Sequence, residues 1–293
     1  MPYLIIIAAA LTALTESATL KTYNKRHSSG GFTFMSLISL AAALFFTVKY
    51  LLLDGAKADF TPEVIPWAIL AGALYCSASF LTFLAIRYGP FAISMLILSY
   101  SIVITSGYGI IFLGEDYSPL TFVAYALILA SLFLVRAKSA PDAEGEKKRV
   151  TTKWLICIIG SVLCSGLYGV TLRAQQVRFE NTVTNECMII AMSFSAVVLF
   201  SIGLAMNRRE CFSILRKSAP YALIAGIANG TTNTLSLLLH TMMPISISSP
   251  TRSIVGTAVN FTFSYFILKE KFLPRQIAGV LIGAGAVVML NIA

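Results

Sequence analysis

Apolar stretches recur along the whole chain, divided by short clusters of charge, proline and glycine, and about 20 apolar residues in a helix cross the hydrocarbon core of a bilayer. With those clusters as punctuation, the pattern predicts ten spans, near residues 3–22, 33–53, 64–86, 90–113, 118–136, 153–173, 185–206, 219–242, 244–267 and 274–292. Only Met242, Met243 and Pro244 divide the eighth from the ninth, but one helix through both stretches is too long for a membrane. The predicted fold class is an all-α integral membrane protein.

Composition agrees with that pattern. Of 293 residues, 57% are apolar and 12% charged, with a mean hydropathy of +0.80, whereas soluble domains run at about 45–50% and about 25%. The N-terminal stretch has no basic leader and no small-residue cleavage site before a soluble domain, so it is expected to be a retained first span. The five cysteines show no CxxC spacing and mostly lie inside apolar runs, which points to neither a zinc site nor a disulfide framework. No cofactor is expected.

The formal charge of +9 does not point to nucleic acid, because the basic residues stand beside span ends and not among aromatics on one polar face. Their distribution speaks to orientation. Most of the 22 lie in odd-numbered connections: Lys21, Lys25, Arg26, Arg87, Arg136, Lys138, Lys147, Lys148, Arg149, Lys153, Arg208, Arg209, Arg216, Lys217, Lys269, Lys271 and Arg275. The even-numbered connections hold Lys49, Lys57, Arg173 and Arg178, and Arg252 lies inside a span. The positive-inside rule then places the odd connections in the cytoplasm and both termini outside. A plasma or inner membrane fits the short loops.

The longest polar segment, with its SAPDAEGEKKR core, reads as a flexible cytoplasmic linker over 139–152 between units at 1–138 and 153–293. The two units repeat each other. At an offset of 154, LTFLAIRYGPFAIS (81–94) lies over LSLLLHTMMPISIS (235–248), pairing Pro90 with Pro244. One residue further on, LGEDYSP (113–119) lies over LKEKFLP (268–274), pairing Glu115 with Glu270 and Pro119 with Pro274. At 152, ATLK (18–21) meets VTLR (170–173). Five spans per unit is an odd number, so the second copy enters the membrane from the opposite side, as in many secondary transporters with inverted repeats.

Together these features resemble the drug/metabolite transporter superfamily, specifically its ten-helix EamA-type members. A proline opens the fourth and ninth helices, and a glutamate sits in the turn before a proline-led fifth and tenth. LTESATLK (14–21) is also similar to the acidic first-helix segment of the small multidrug resistance proteins, four-helix relatives in that superfamily. The resemblance implies a central hydrated cavity walled by the third, fourth, eighth and ninth helices, and export of a small metabolite such as an amino acid. Two fused halves are expected to act as a monomer.

Residues shared by both halves serve both orientations, so Pro90/Pro244, Glu115/Glu270 and Pro119/Pro274 read as helix openings, turns and caps. The substrate site is expected where the halves differ. Two differences are charged and lie within spans: Glu16, opposite Tyr168 in the repeat, and Arg252, opposite Leu98. An ionisable group in a membrane helix costs roughly 2.5–3.5 kcal/mol and normally faces a cavity or a partner. From their distances to the span ends, the two lie at depths differing by only about 9 Å in a core about 30 Å thick.

A substrate can therefore bridge them, with Arg252 taking a carboxylate or phosphate and Glu16 an ammonium or a coupling proton. The alternative is a structural Glu–Arg pair that locks two helices. On the eighth span Asn229, Thr232, Asn233, Ser236 and His240 follow one helical face. Tyr75 and Ser79 stand at the matched positions of the third, and Ser248, Ser249, Thr251, Ser253, Thr257 and Asn260 follow on the ninth. The candidate substrate-binding set is Arg252, Glu16, Tyr75, Ser79, Tyr100, Tyr168, Asn229, Asn233, Ser249 and His240. Interhelical hydrogen bonding explains any one of them equally well, and a lone His near a helix end is commonly a packing residue. Lys49, Arg87 and Arg173 are expected to snorkel from span ends.

The sequence thus predicts a carrier of a small solute, with the lipid bilayer as its other partner, and not an enzyme. Nothing resembles a Walker loop, HExxH, GxSxG or an acidic metal cluster. Extrusion of organic cations is the rival within transport, for which Glu16 suffices and Arg252 is a hindrance. A channel is a further alternative, without a repeated filter sequence in its favour.

Overall fold

A computed structural model describes residues 2–27, 30–53, 62–89, 91–98, 100–114, 118–135, 152–206, 211–267 and 274–292. Among them the chain forms eleven helices and no strand: α1 (Pro2–Arg26), α2 (Gly31–Leu53), α3 (Val64–Tyr88), α4 (Phe91–Leu98), α5 (Ser101–Phe112), α6 (Pro119–Val135), α7 (Thr152–Arg178), α8 (Thr184–Met206), α9 (Cys211–Met242), α10 (Ile245–Phe266) and α11 (Pro274–Ile292). Six of these, α1, α2, α3, α7, α8 and α9, are long and apolar enough to cross a membrane. A bilayer leaves no water for unpaired backbone groups, so helices that satisfy their own N–H and C=O are the expected solution. The protein is an all-helical, multi-pass membrane protein.

Its polarity is inverted relative to a soluble domain. On α2, Leu40, Leu44 and Leu51 face outward while Thr33, Ser36 and Ser39 are buried. The inward hydroxyls bond across helices: Ser36 Oγ donates to the Ala196 carbonyl of α8 at 2.9 Å, and the Ser39 and Ser195 hydroxyls meet at 3.0 Å. Such bonds join helices whose apolar faces lipid solvates as well as protein does.

Several boundaries differ from the pattern. The expected fourth span, 90–113, is divided into α4 and α5, with Tyr100 in the turn between them. The expected eighth span starts earlier, since α9 runs unbroken from Cys211 with Pro220 inside it. Helix α7 continues to Arg178. Between α9 and α10 stand Met243 and Pro244, where extended ψ at Pro244 (143°) starts the new helix and its carbonyl accepts from Ser248 N at 2.9 Å. Pro119 and Pro274 are the first residues of α6 and α11, where a missing N–H costs nothing. Pro90, Glu115 and Glu270 lie outside the described residues, as does nearly all of the 139–152 segment.

Helix α1 lies along α9 and α3 along α7; α2 lies on α9 and α8 on α3; α10 meets α1 and α5 meets α7. Two helix pairs, α2 with α8 and α6 with α11, close the arrangement. Some helices approach closely enough for side chain to meet backbone. Asn24 Nδ2 donates to the Phe83 carbonyl at 3.4 Å, and Gln176 Nε2 to the Leu237 carbonyl at 3.3 Å. A Cβ on Gly226 would stand 2.7 Å from the Ile38 carbonyl oxygen and against Ala41, and one on Gly72 would stand 2.6 Å from the Ala191 carbonyl oxygen and against Phe194.

Candidate functional site

One cavity of about 360 Å³ opens between α1, α3, α4, α5, α7, α9 and α10, with Met35 of α2 also at its wall. Helix α9 supplies its most polar wall. Asn229, Thr232, Asn233, Ser236 and His240 follow one face of that helix, and all five line the space. Glu16 enters from α1, Tyr75 and Ser79 from α3, Tyr168 from α7, and Ser249 and Arg252 from α10. Nine of the ten residues expected from the sequence therefore surround one space.

Tyr100 does not. The turn between α4 and α5 carries its ring away from the cavity into the cluster of Ala124, Phe261, Ile254 and Met289. Helical periodicity places a residue correctly only while the helix continues, and at Tyr100 it does not.

A chain of hydrogen bonds runs along the polar wall. Asn229 Nδ2 donates to both Glu16 carboxylate oxygens, each at 3.1 Å. Asn233 Nδ2 donates to Asn229 Oδ1 at 3.0 Å, which fixes the orientation of the Asn229 amide, and the Tyr168 hydroxyl donates to Asn233 Oδ1 at 3.2 Å. Beside them Thr232 Oγ1 donates to Thr12 Oγ1 at 2.7 Å and so ties α9 to α1. The Tyr75 and Tyr168 rings meet at 5.6 Å between centroids, tilted by 52°. At the far end Arg252 Nη1 donates to Ser236 Oγ, whose own proton goes to the Thr232 carbonyl at 2.6 Å.

Glu16 and Arg252 do not pair with each other. Among the described residues each is held by a neutral side chain, Glu16 by Asn229 and Arg252 by Ser236, and neither has an ion-pair partner. The locking Glu–Arg pair weighed from the sequence is not formed. An ionised carboxylate and a guanidinium without an ion-pair partner in one low-dielectric cavity would set up a field along it, which a ligand of matching polarity would neutralise.

His240 is buried at the end of the wall, its Nδ1 3.4 Å from Gln176 Oε1, while Arg173 Nη1 donates to the His240 carbonyl at 3.0 Å. Arg173 thus bonds to the end of α9, and Lys49 Nζ to Asn185 Oδ1 at 2.6 Å. The cavity also has walls that hydropathy did not single out. Ser17 of α1, Thr82 of α3, Thr105 of α5 and Ser165 of α7 line it. A single small hydroxyl in an apolar run carries no sequence signal, because it can bond to its own helix backbone. Cys76, Cys157 and Cys187 are buried and Cys164 half-buried, all four as free thiols. Among the described residues no three His, Cys, Asp or Glu side chains gather to hold a metal ion.

No protein-family model matches the chain, and no curated protein matches it. Among solved structures 28 chains match. One is a crystal structure described only as that of a protein, with a TM-score of 0.61 and 13% identity over 99% of this chain and 96% of that one. A likeness at that identity concerns the fold alone, and it extends over essentially the whole length of both chains.

Proposed function

We propose that the chain is a secondary transporter of a small zwitterionic or anionic solute, such as an amino acid, built as ten spans in two inverted five-helix repeats of the drug/metabolite transporter type. The observation that carries this reading is the pair of uncompensated charges, Glu16 and Arg252, on one cavity. Each costs a few kcal/mol to hold in a membrane helix. A solute that supplies an ammonium to one and a carboxylate to the other would neutralise both.

The matched packing supports the repeat. Asn24 and Gln176 are offset by 152 residues and Phe83 and Leu237 by 154, the offsets at which the sequence repeats, and the same amide-to-carbonyl bond forms at both places. Gly72 and Gly226 are offset by 154, Ile38 and Ala191 by 153, and both glycines face those carbonyls. The same offsets relate Glu16 to Tyr168 and Asn229 to Tyr75. A carboxylate–amide pair in one place thus corresponds to a tyrosine pair in the other, so a symmetric frame carries an asymmetric site. Frames of this kind alternate access by rocking one repeat against the other around a central site.

The proposed carrier works as a monomer in a plasma or inner membrane, with the odd connections in the cytoplasm and export as its direction. Counterflow in proteoliposomes tests it, with amino acids, small organic acids, phosphorylated metabolites and organic cations loaded in turn, comparing the parent with Arg252→Ala. Saturable uptake of an acid or zwitterion, lost in the variant, is the expected result. Uptake of cations alone, unaffected by the substitution, would overturn it in favour of cation extrusion through Glu16.

A further inference from the structure

The two charges stand at different levels of the α9 wall. Asn229, which holds Glu16, and Ser236, which holds Arg252, are seven residues apart on α9. Seven residues make nearly two turns, so the two side chains leave the helix in nearly the same direction, about 20° apart, and about 10 Å apart along its axis. Asn233 lies between them and receives the Tyr168 hydroxyl. An anionic group and a cationic group therefore sit at two ends of the wall, with a phenol between.

Resting on the reading of this cavity as a solute site, we infer that its preferred substrate is an ω-amino acid, with the ammonium three or four carbons from the carboxylate. A charge-assisted hydrogen bond at each end takes up about 2.8 Å of the roughly 10 Å separation, which leaves about 5 Å between the ammonium and the carboxylate. In an α-amino acid, bonds of about 1.46 and 1.52 Å at about 111° put the nitrogen only about 2.5 Å from the carboxylate carbon. Such a molecule reaches one end of the wall and leaves the other charge uncompensated. Two further bonds in an extended chain double the distance to about 5 Å, the spacing of a γ-amino acid, and one more gives a δ-amino acid. The cavity of about 360 Å³ has room for about a dozen waters at about 30 Å³ each. An extended chain of seven or eight heavy atoms fits within it.

The test is competition in counterflow by a homologous series, glycine, β-alanine, 4-aminobutyrate, 5-aminovalerate and 6-aminohexanoate, with butyrate and butylamine as single-charge controls. In the parent protein, 4-aminobutyrate or 5-aminovalerate is expected to compete about tenfold better than glycine and than either control, the loss of one charge-assisted bond being worth at least that factor. Glu16→Gln is expected to flatten the series to the level of butyrate. If glycine and other α-amino acids compete as well as the longer acids, the inference fails while the carrier reading stands. If no member of the series competes and a different solute class is transported, the zwitterion reading fails and the inference with it.

Discussion

The Glu16 carboxylate and the Asn229 amide form a closed fork in which one Nδ2 lies 3.1 Å from each carboxylate oxygen. The amide is held from behind by Asn233, which leaves Nδ2 aimed at Glu16. A hydrogen bond to a charged group contributes about 1.5–3 kcal/mol, and an orphaned charge costs more than the absence of both partners. Asn229→Leu should therefore lower thermal stability in detergent by about that amount. Glu16→Leu combined with Asn229→Leu should recover most of it, giving a coupling of about 1 kcal/mol or more in a double-mutant cycle. Additive losses would show that the fork contributes nothing as a pair.

The two glycines at the helix crossings make a second prediction. Gly226 and Gly72 sit where a Cβ would press on the carbonyl of a neighbouring helix, at 2.7 and 2.6 Å. Backbone cannot yield as a side-chain tip can, so Gly226→Val and Gly72→Val should abolish accumulation of folded protein. Gly107 on α5 has open space around it. Gly107→Ala should be tolerated, or gain about 0.5–1 kcal/mol from the lower backbone entropy of alanine. Monodisperse yield from gel filtration separates the two cases, and equal loss at all three positions would count against tight crossings at Gly72 and Gly226.

Hydropathy located most helices because lipid imposes one long apolar run per crossing, and the polar stripe of α9 was visible because 229, 232, 233, 236 and 240 keep one helical face. The division of α4 from α5 was not legible. Ile97, Leu98, Tyr100 and Ser101 include neither proline nor glycine, and hydropathy is uniform through them. With that break went Tyr100. The walls from α1 and α7 were under-read for another reason. Gly169, Ser165 and Ser17 border the cavity by being small, and smallness serves helix packing and cavity lining alike. The Glu16–Asn229 partnership needed the structure, since 213 residues separate the two and only the packing of α1 on α9 joins them.

The orientation proposed from charge is checked independently of transport. Thr182, exposed in the turn between α7 and α8, belongs to an even connection, and Ala143 belongs to the linker. In a background without the native cysteines, Thr182→Cys should react with a membrane-impermeant maleimide in intact cells, and Ala143→Cys only after the membrane is opened. The reverse pattern would turn the protein over and require both termini inside.

The segments of α1 and α7 related by the offset of 152 are packed by different chemistry. Near the end of α1, Tyr23 is buried against Phe34, their rings stacked at 3.7 Å, with Phe83 and Tyr221 around them. At the offset of 152 the counterpart of Tyr23 is Gln175 on α7, fully buried, with neither its amide nitrogen nor its oxygen hydrogen-bonded. An unsatisfied buried polar group costs about 1–3 kcal/mol, which is regained when water reaches it. A form in which Gln175 is buried dry is therefore destabilised relative to one in which water reaches it, and the same holds for Asn24 Oδ1 and His27 Nδ1, buried without a hydrogen bond beside Tyr23. Gln175→Met, close in size and without the amide, should raise the melting temperature in detergent and slow counterflow, because the closed form is relieved and the open form is not. If Gln175→Met lowers stability instead, the amide has a partner in the membrane and its burial costs nothing.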